Sequence, residues 1–130
     1  MIDAKKPLVA QNPQYDVGFL FEKFVAPMPE HFVEFCREWR KCFPLIYDTK
    51  LVSFVLTKDT KNNRSTLEDL FSKVQRDKLY FNNLKINFDT DAHIDFGQYQ
   101  NGDKKPHDAA YDSYMTGVVF AMLTKRIEIE

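Results

Sequence analysis

His107 and Asp112 stand five residues apart at the head of a long apolar segment, HDAAYDSYMTGVVFAMLTK. In a helix that begins there, the imidazole stands off the first turn while the carboxylate projects toward the same pocket. A histidine with an ordinary pKa near neutrality can take a proton from an attacking water. A carboxylate offers the hard oxygen ligands that Mg²⁺ favours. Without further context, such a pair is more often a helix-start residue and a surface acid. Asp16, on an amphipathic pattern that follows Asn12 and Pro13, reads by itself as a solvated carboxylate. Asp89, Asp91, His93 and Asp95 imitate a metal cluster, but the sixth position of a calcium loop lacks its glycine and the twelfth is Gln100 rather than Glu. A polar loop is the reading there. Asp48 ends an apolar run, where a turn or capping role outweighs a catalytic one.

These residues need elements to position them. Leu8, Val9 and Ala10 read as a brief strand feeding a helix. Asn12 is expected to cap that helix with Pro13 at its first position, and Val17, Leu20, Phe21 and Phe24 form its apolar stripe. Pro27 and Pro29 close it, and a second helix carries Phe32, Phe35, Cys36, Trp39, Cys42 and Phe43 on one stripe, stopped by Pro44. Leu45, Ile46 and Tyr47 suit a buried strand, and the LVSFVL segment after it is helical or extended. Ser65 and Glu68 form a capping box ahead of Leu67, Leu70, Phe71 and Val74. Residues 78–105 carry a strand and irregular loops, and the last helix starts near Pro106. The order implies an α/β layer fold. Two or three short strands are too few to satisfy helices this apolar, so a sheet partner is missing.

Composition narrows the classes further. The 130 residues make one domain or part of one. An aromatic share of 15%, with twelve Phe and six Tyr, is far beyond a disordered segment. The net charge of −1 gives no overall basic field, so any nucleic-acid contact must be local. Cys36 and Cys42 make neither a disulfide framework nor a zinc set, and reduced intracellular thiols are the simple reading. No apolar run approaches the ~20 residues that cross a bilayer, and the first residues lack the core of a signal peptide.

Motif spacing carries a resemblance. HDAAYDSYMTG, from His107 to Gly117, resembles the third motif of the DEDD exonucleases in its histidine form, with Tyr111, Tyr114, Thr116 and Gly117 agreeing with the poly(A)-specific ribonuclease family. PLVAQNPQYDVGFLFEKFVAPMP resembles that family's second motif, with Asn12 and Asp16 at the matching positions and Gln11 where relatives usually have His. FPLIYDTKL and NRSTLEDL follow in the expected order, and residues 76–103 are the least comparable part.

The resemblance implies an α/β, ribonuclease H-like (DEDD exonuclease) fold, of which residues 1–130 form the C-terminal portion, an incomplete sheet flanked by helices. It implies Asp16 and Asp112 as ligands of two Mg²⁺ (or Mn²⁺) ions, held about 3.5–4 Å apart, with His107 as proton acceptor. Lys50 falls where deadenylase relatives place a lysine near RNA, Leu67 where an apolar side chain packs on adenine, and Asn12 beside the substrate. The family's Asp and Glu on a first strand would lie upstream, so the isolated chain is expected to be inactive. The expected reaction is 3′→5′ hydrolysis of single-stranded RNA, with poly(A) the expected tail, releasing 5′-nucleoside monophosphates. The expected location is intracellular, in cytoplasm, nucleus or both, and a homodimer stays open. Two alternatives remain: a catalytically silent module that binds RNA or dimerises, and an exonuclease that trims the 3′ ends of small RNAs.

Overall fold

The computed structural model describes residues 2–57, 66–76 and 108–129. Within them β1 (Leu8–Ala10) leads through a turn into α1 (Gln14–Phe24), followed by α2 (Phe32–Cys42), β2 (Ile46–Asp48), α3 (Thr49–Thr57), α4 (Leu67–Arg76) and α5 (Ala109–Ile129). The strands pair in parallel, Leu8 opposite Ile46, Val9 opposite Tyr47 and Ala10 opposite Asp48. Parallel pairing requires a crossover, and α1 with α2 supplies it. This is the expected α/β arrangement.

Two apolar clusters hold the elements. Phe21 of α1 meets α2 through an edge-to-face contact with Phe35, ring centroids 5.2 Å apart, and Trp39 packs on Phe43 at 4.6 Å. Phe21, Trp39 and Phe43 are buried, with Leu8 of β1 packed against them. The second cluster joins α4 to α5: Leu70, Phe71 and Val74 meet Tyr111, Met115, Val118 and Val119, and Val52 and Leu56 of α3 close one side. α5 also touches β1, so the last helix is referenced directly to the strand that carries the site.

Several expectations need correction. Asn12 does not cap α1 through its side chain: the cap position is Pro13, with no side-chain cap bond, and Asn12 takes a left-handed φ of 53°. Asn tolerates that region better than most residues, which lets the chain turn sharply out of β1. The expected box of Ser65 with Glu68 involves Ser65, which lies outside the described residues; among those described, Thr66 and Asp69 form a box. Thr66 N–H donates to Asp69 Oδ2 at 3.0 Å, and Asp69 N–H donates to Thr66 Oγ1 at 3.2 Å. This pair adjoins a helix that starts at Leu67. The strand expected to be buried is half exposed, Leu45, Ile46 and Tyr47 included, because the pair has no second neighbour among the described residues. Phe24 and Phe32, placed on core stripes by spacing, are exposed. LVSFVL is helical, forming most of α3. α5 begins at Ala109, and Asp108 Oδ1 accepts from the amides of Ala110 and Tyr111 at 2.9 and 3.1 Å. The expected strand and loops over residues 78–105 lie outside the described residues.

Candidate functional site

The turn after β1 is built from Gln11, Asn12 and Pro13, and its geometry is set across the strand pair. Asp48, in register with Ala10, uses Oδ1 to accept from Asn12 N–H and from Lys50 N–H, both at 2.9 Å. Asp48 thus fills the turn and capping role expected of it. Thr49, fully buried, donates its hydroxyl to Ala10 O at 3.3 Å and lies against the Gln11 side chain. From this turn α1 rises with Asp16 in its first turn.

Asp16 and Asp112 line one cleft of about 620 Å³. Its walls are Val9, Ala10 and Gln11 at the end of β1, Leu67 at the start of α4, and Ala109, Asp112, Ser113, Thr116 and Gly117 on the first turns of α5. Asp112, like Asp16, sits in the first turn of its helix, where the free amides and the helix dipole accommodate an acid. Ser113 and Thr116 spend their hydroxyls on the helix itself, donating to Ala109 O and Asp112 O at 2.8 Å each. Gly117 leaves open space where a Cβ would stand. Behind α5, in the core it shares with α4, Phe71 meets Tyr114 edge-on at 5.9 Å, and burial followed by the charge of Tyr111 raises the pKa of the Tyr114 hydroxyl.

Of the residues selected from sequence, Asp16, Asp112 and Leu67 converge on the cleft. Asn12 and Lys50 do not line it; they meet instead through the carboxylate of Asp48. His107 lies outside the described residues. Gln11 was not selected, yet it lies in the cleft wall; its position beside Asn12 at the end of an apolar strand was the available signal.

Among the described residues, the lining contains two acids and no basic side chain. An RNA phosphate entering it would meet like charge unless cations stood between them. Both acids offer oxygen, the donor class taken by Mg²⁺ and Mn²⁺. Among the described residues no three His, Cys, Asp or Glu side chains are grouped to hold a metal ion. The donors therefore fit such ions in kind but make only part of a site for two. Among the described residues no helix is long and apolar enough to cross a membrane.

A family model described as CAF1 family ribonuclease matches residues 1–120. The human poly(A)-specific ribonuclease PNLDC1 is 32% identical over 120 residues, covering 92% of this chain and 22% of that protein. The poly(A)-specific ribonuclease PARN of Arabidopsis thaliana is 30% identical over 128 residues, covering 90% of this chain and 18% of its own length. The pre-piRNA 3′-exonuclease trimmer of Bombyx mori is 29% identical over 126 residues, covering 92% of this chain and 22% of that protein. The chain thus spans about a fifth of the length of the curated relatives it matches. No solved structure matches it.

Proposed function

This chain belongs to the CAF1 family of ribonucleases, whose fold is ribonuclease H-like, and from that premise we propose that it is the C-terminal part of a 3′→5′ exoribonuclease acting on single-stranded RNA tails, poly(A) foremost. The observation that carries the reading is the meeting of Asp16 and Asp112, from helices at opposite ends of the chain, in a cleft whose described lining has no basic side chain. Such a cleft favours cations and, through them, phosphates.

In this reading Asp16 and Asp112 are two of the carboxylates that hold a pair of Mg²⁺ or Mn²⁺ ions, and polypeptide outside these residues supplies the others. When bound, such ions supply an activated water and stabilisation of the leaving oxygen. Leu67, half-buried at the cleft edge, presents an apolar face to a base, as unpaired bases permit. Lys50 offers its amine to the RNA backbone and Asn12 borders the strand's path. His107, next in sequence to Asp108, accepts the proton released from water at neutral pH. In this reading the isolated chain, given only Asp16 and Asp112 of that ligand set, is inactive.

The test is a full-length protein given oligo(A) and Mg²⁺ or Mn²⁺. Progressive loss of 3′ nucleotides, abolished by Asp112→Ala, supports the reading. Undiminished degradation by that variant removes Asp112 from the ligand set, and an inert wild type favours the silent RNA-binding alternative. Similarity to a protein named as a pre-piRNA trimmer gives a second substrate a specific basis. Competition between oligo(A) and a small RNA with a short 3′ extension separates the two.

A further inference from the structure

We propose that Asp48 is a positioning residue that couples the acid of α1 to the start of α3; the consequence for RNA turnover rests on the exoribonuclease reading above. A single oxygen, Oδ1, accepts from two backbone amides in different segments, Asn12 N–H and Lys50 N–H, each at 2.9 Å. Neither bond depends on the side chain of the donor. The first crosses from β2 to the turn that follows β1, and the second caps α3.

The lever lies in Asn12. Its φ of 53° belongs to the left-handed region, which a non-glycine residue keeps when its surroundings over-determine it. Pro13 follows, has no amide to donate and fixes the entry into α1. Asp16 stands in the first turn of that helix, so the backbone angles at Asn12 set the direction in which its carboxylate leaves the strand. Asp112 takes its position from α5, which rests on β1 and α4 as well as on α3. Releasing Asn12 therefore moves one acid of the cleft relative to the other. Lys50 is held by the same oxygen, so the segment bearing the proposed substrate lysine and the turn bearing Asp16 share one anchor. Thr49 reinforces the link from its buried position between Ala10 and Gln11.

Asp48 is absent from the cleft lining, so its work is acceptance, and a neutral amide oxygen can replace it. In the full-length protein, Asp48→Ala raises the Mg²⁺ concentration for half-maximal oligo(A) shortening roughly tenfold, the scale of a lost charge-assisted hydrogen bond. The rate at saturating Mg²⁺ returns toward wild type, as expected when ligand geometry is disturbed and chemistry is kept. Asp48→Asn, which preserves the acceptor, stays within about threefold of wild type in both readings. Amide hydrogen exchange at Asn12 and Lys50 accelerates in Asp48→Ala and remains protected in Asp48→Asn. The inference is overturned if Asp48→Asn is as inert as Asp16→Ala, which would make Asp48 a ligand. Unchanged exchange at Asn12 in Asp48→Ala also overturns it. Should Asp48→Ala fail to fold, Asp48→Asn decides: retained protection and activity support the clamp, and loss of either refutes it. If the wild type leaves RNA intact, the nuclease reading falls while amide exchange still decides the clamp.

Discussion

Asp16 and Asp112 occupy the first turns of their helices and face one cleft, with Gln11 and Leu67 in its walls and no cationic side chain among its described lining. Two acids from distant segments lining one cleft make metal, charge and catalysis testable together.

The acids should act as a unit. In the full-length protein, Asp16→Ala and Asp112→Ala each lower oligo(A) shortening by roughly a thousandfold or more, and the double variant is little worse than either single one. Multiplicative losses in single-turnover assays would show that the two do not serve a common step. A chelator should stop the wild-type reaction, and added Mg²⁺ should restore it.

The proposed ion site predicts a linked effect on stability. Asp112→Asn should leave the thermal midpoint in chelator close to that of the wild type while removing activity. Adding Mg²⁺ should raise the wild-type midpoint more than that of the variant. Equal shifts by thermal melting would place the binding of the ion elsewhere.

Asp69 predicts a pH-dependent cap at α4. The Thr66 amide, followed by the Thr66 hydroxyl, holds the Asp69 carboxyl below its ordinary 3.8. A depressed carboxylate pKa contributes stability that is fully present above the ordinary value and is lost as pH falls through the depressed one. Melting curves of wild type and Asp69→Asn should therefore differ at pH 6 and converge in strong acid. A constant gap down to the lowest pH would show that the carboxylate charge is not what the cap uses.

Phe21 and Tyr15 contrast two positions on one helix. Phe21 is 1% exposed and Tyr15 79% exposed. Phe21→Ala should cost about 3–5 kcal/mol, because it empties a packed aromatic cluster. Tyr15→Ala should stay within about 0.5 kcal/mol. Urea unfolding of the full-length variants measures both.

Gly117 separates folding from access to the cleft. Its backbone has room for a Cβ, so Gly117→Ala should gain up to about 1 kcal/mol of helix stability. Gly117→Leu projects into the cleft and should slow RNA shortening several-fold without unfolding α5. Parallel thermal melts and activity assays check both, and a fast Gly117→Leu enzyme would place the RNA elsewhere.

What the sequence determined by itself was local. Apolar spacing placed α1 and α2 around Phe21 and Trp39 and the core stripe of α4 on Leu70, Phe71 and Val74, because residues three and four apart share a helix face wherever that helix goes. Motif spacing also singled out Asp16, Asp112 and Leu67, which converge on one cleft. Tertiary structure decided the rest. The exposure of Phe24 and Tyr47, the left-handed turn at Asn12 and the entry of Gln11 into the cleft wall all depend on segments distant in the chain. Parallel pairing of β1 with β2 and the packing of α5 on β1 set those distances, and neither leaves a periodic signature in the residues concerned. Asp48 marks the division: its residue type and place at a strand end suggested a turn, but only the register opposite Ala10 brought its oxygen to Asn12.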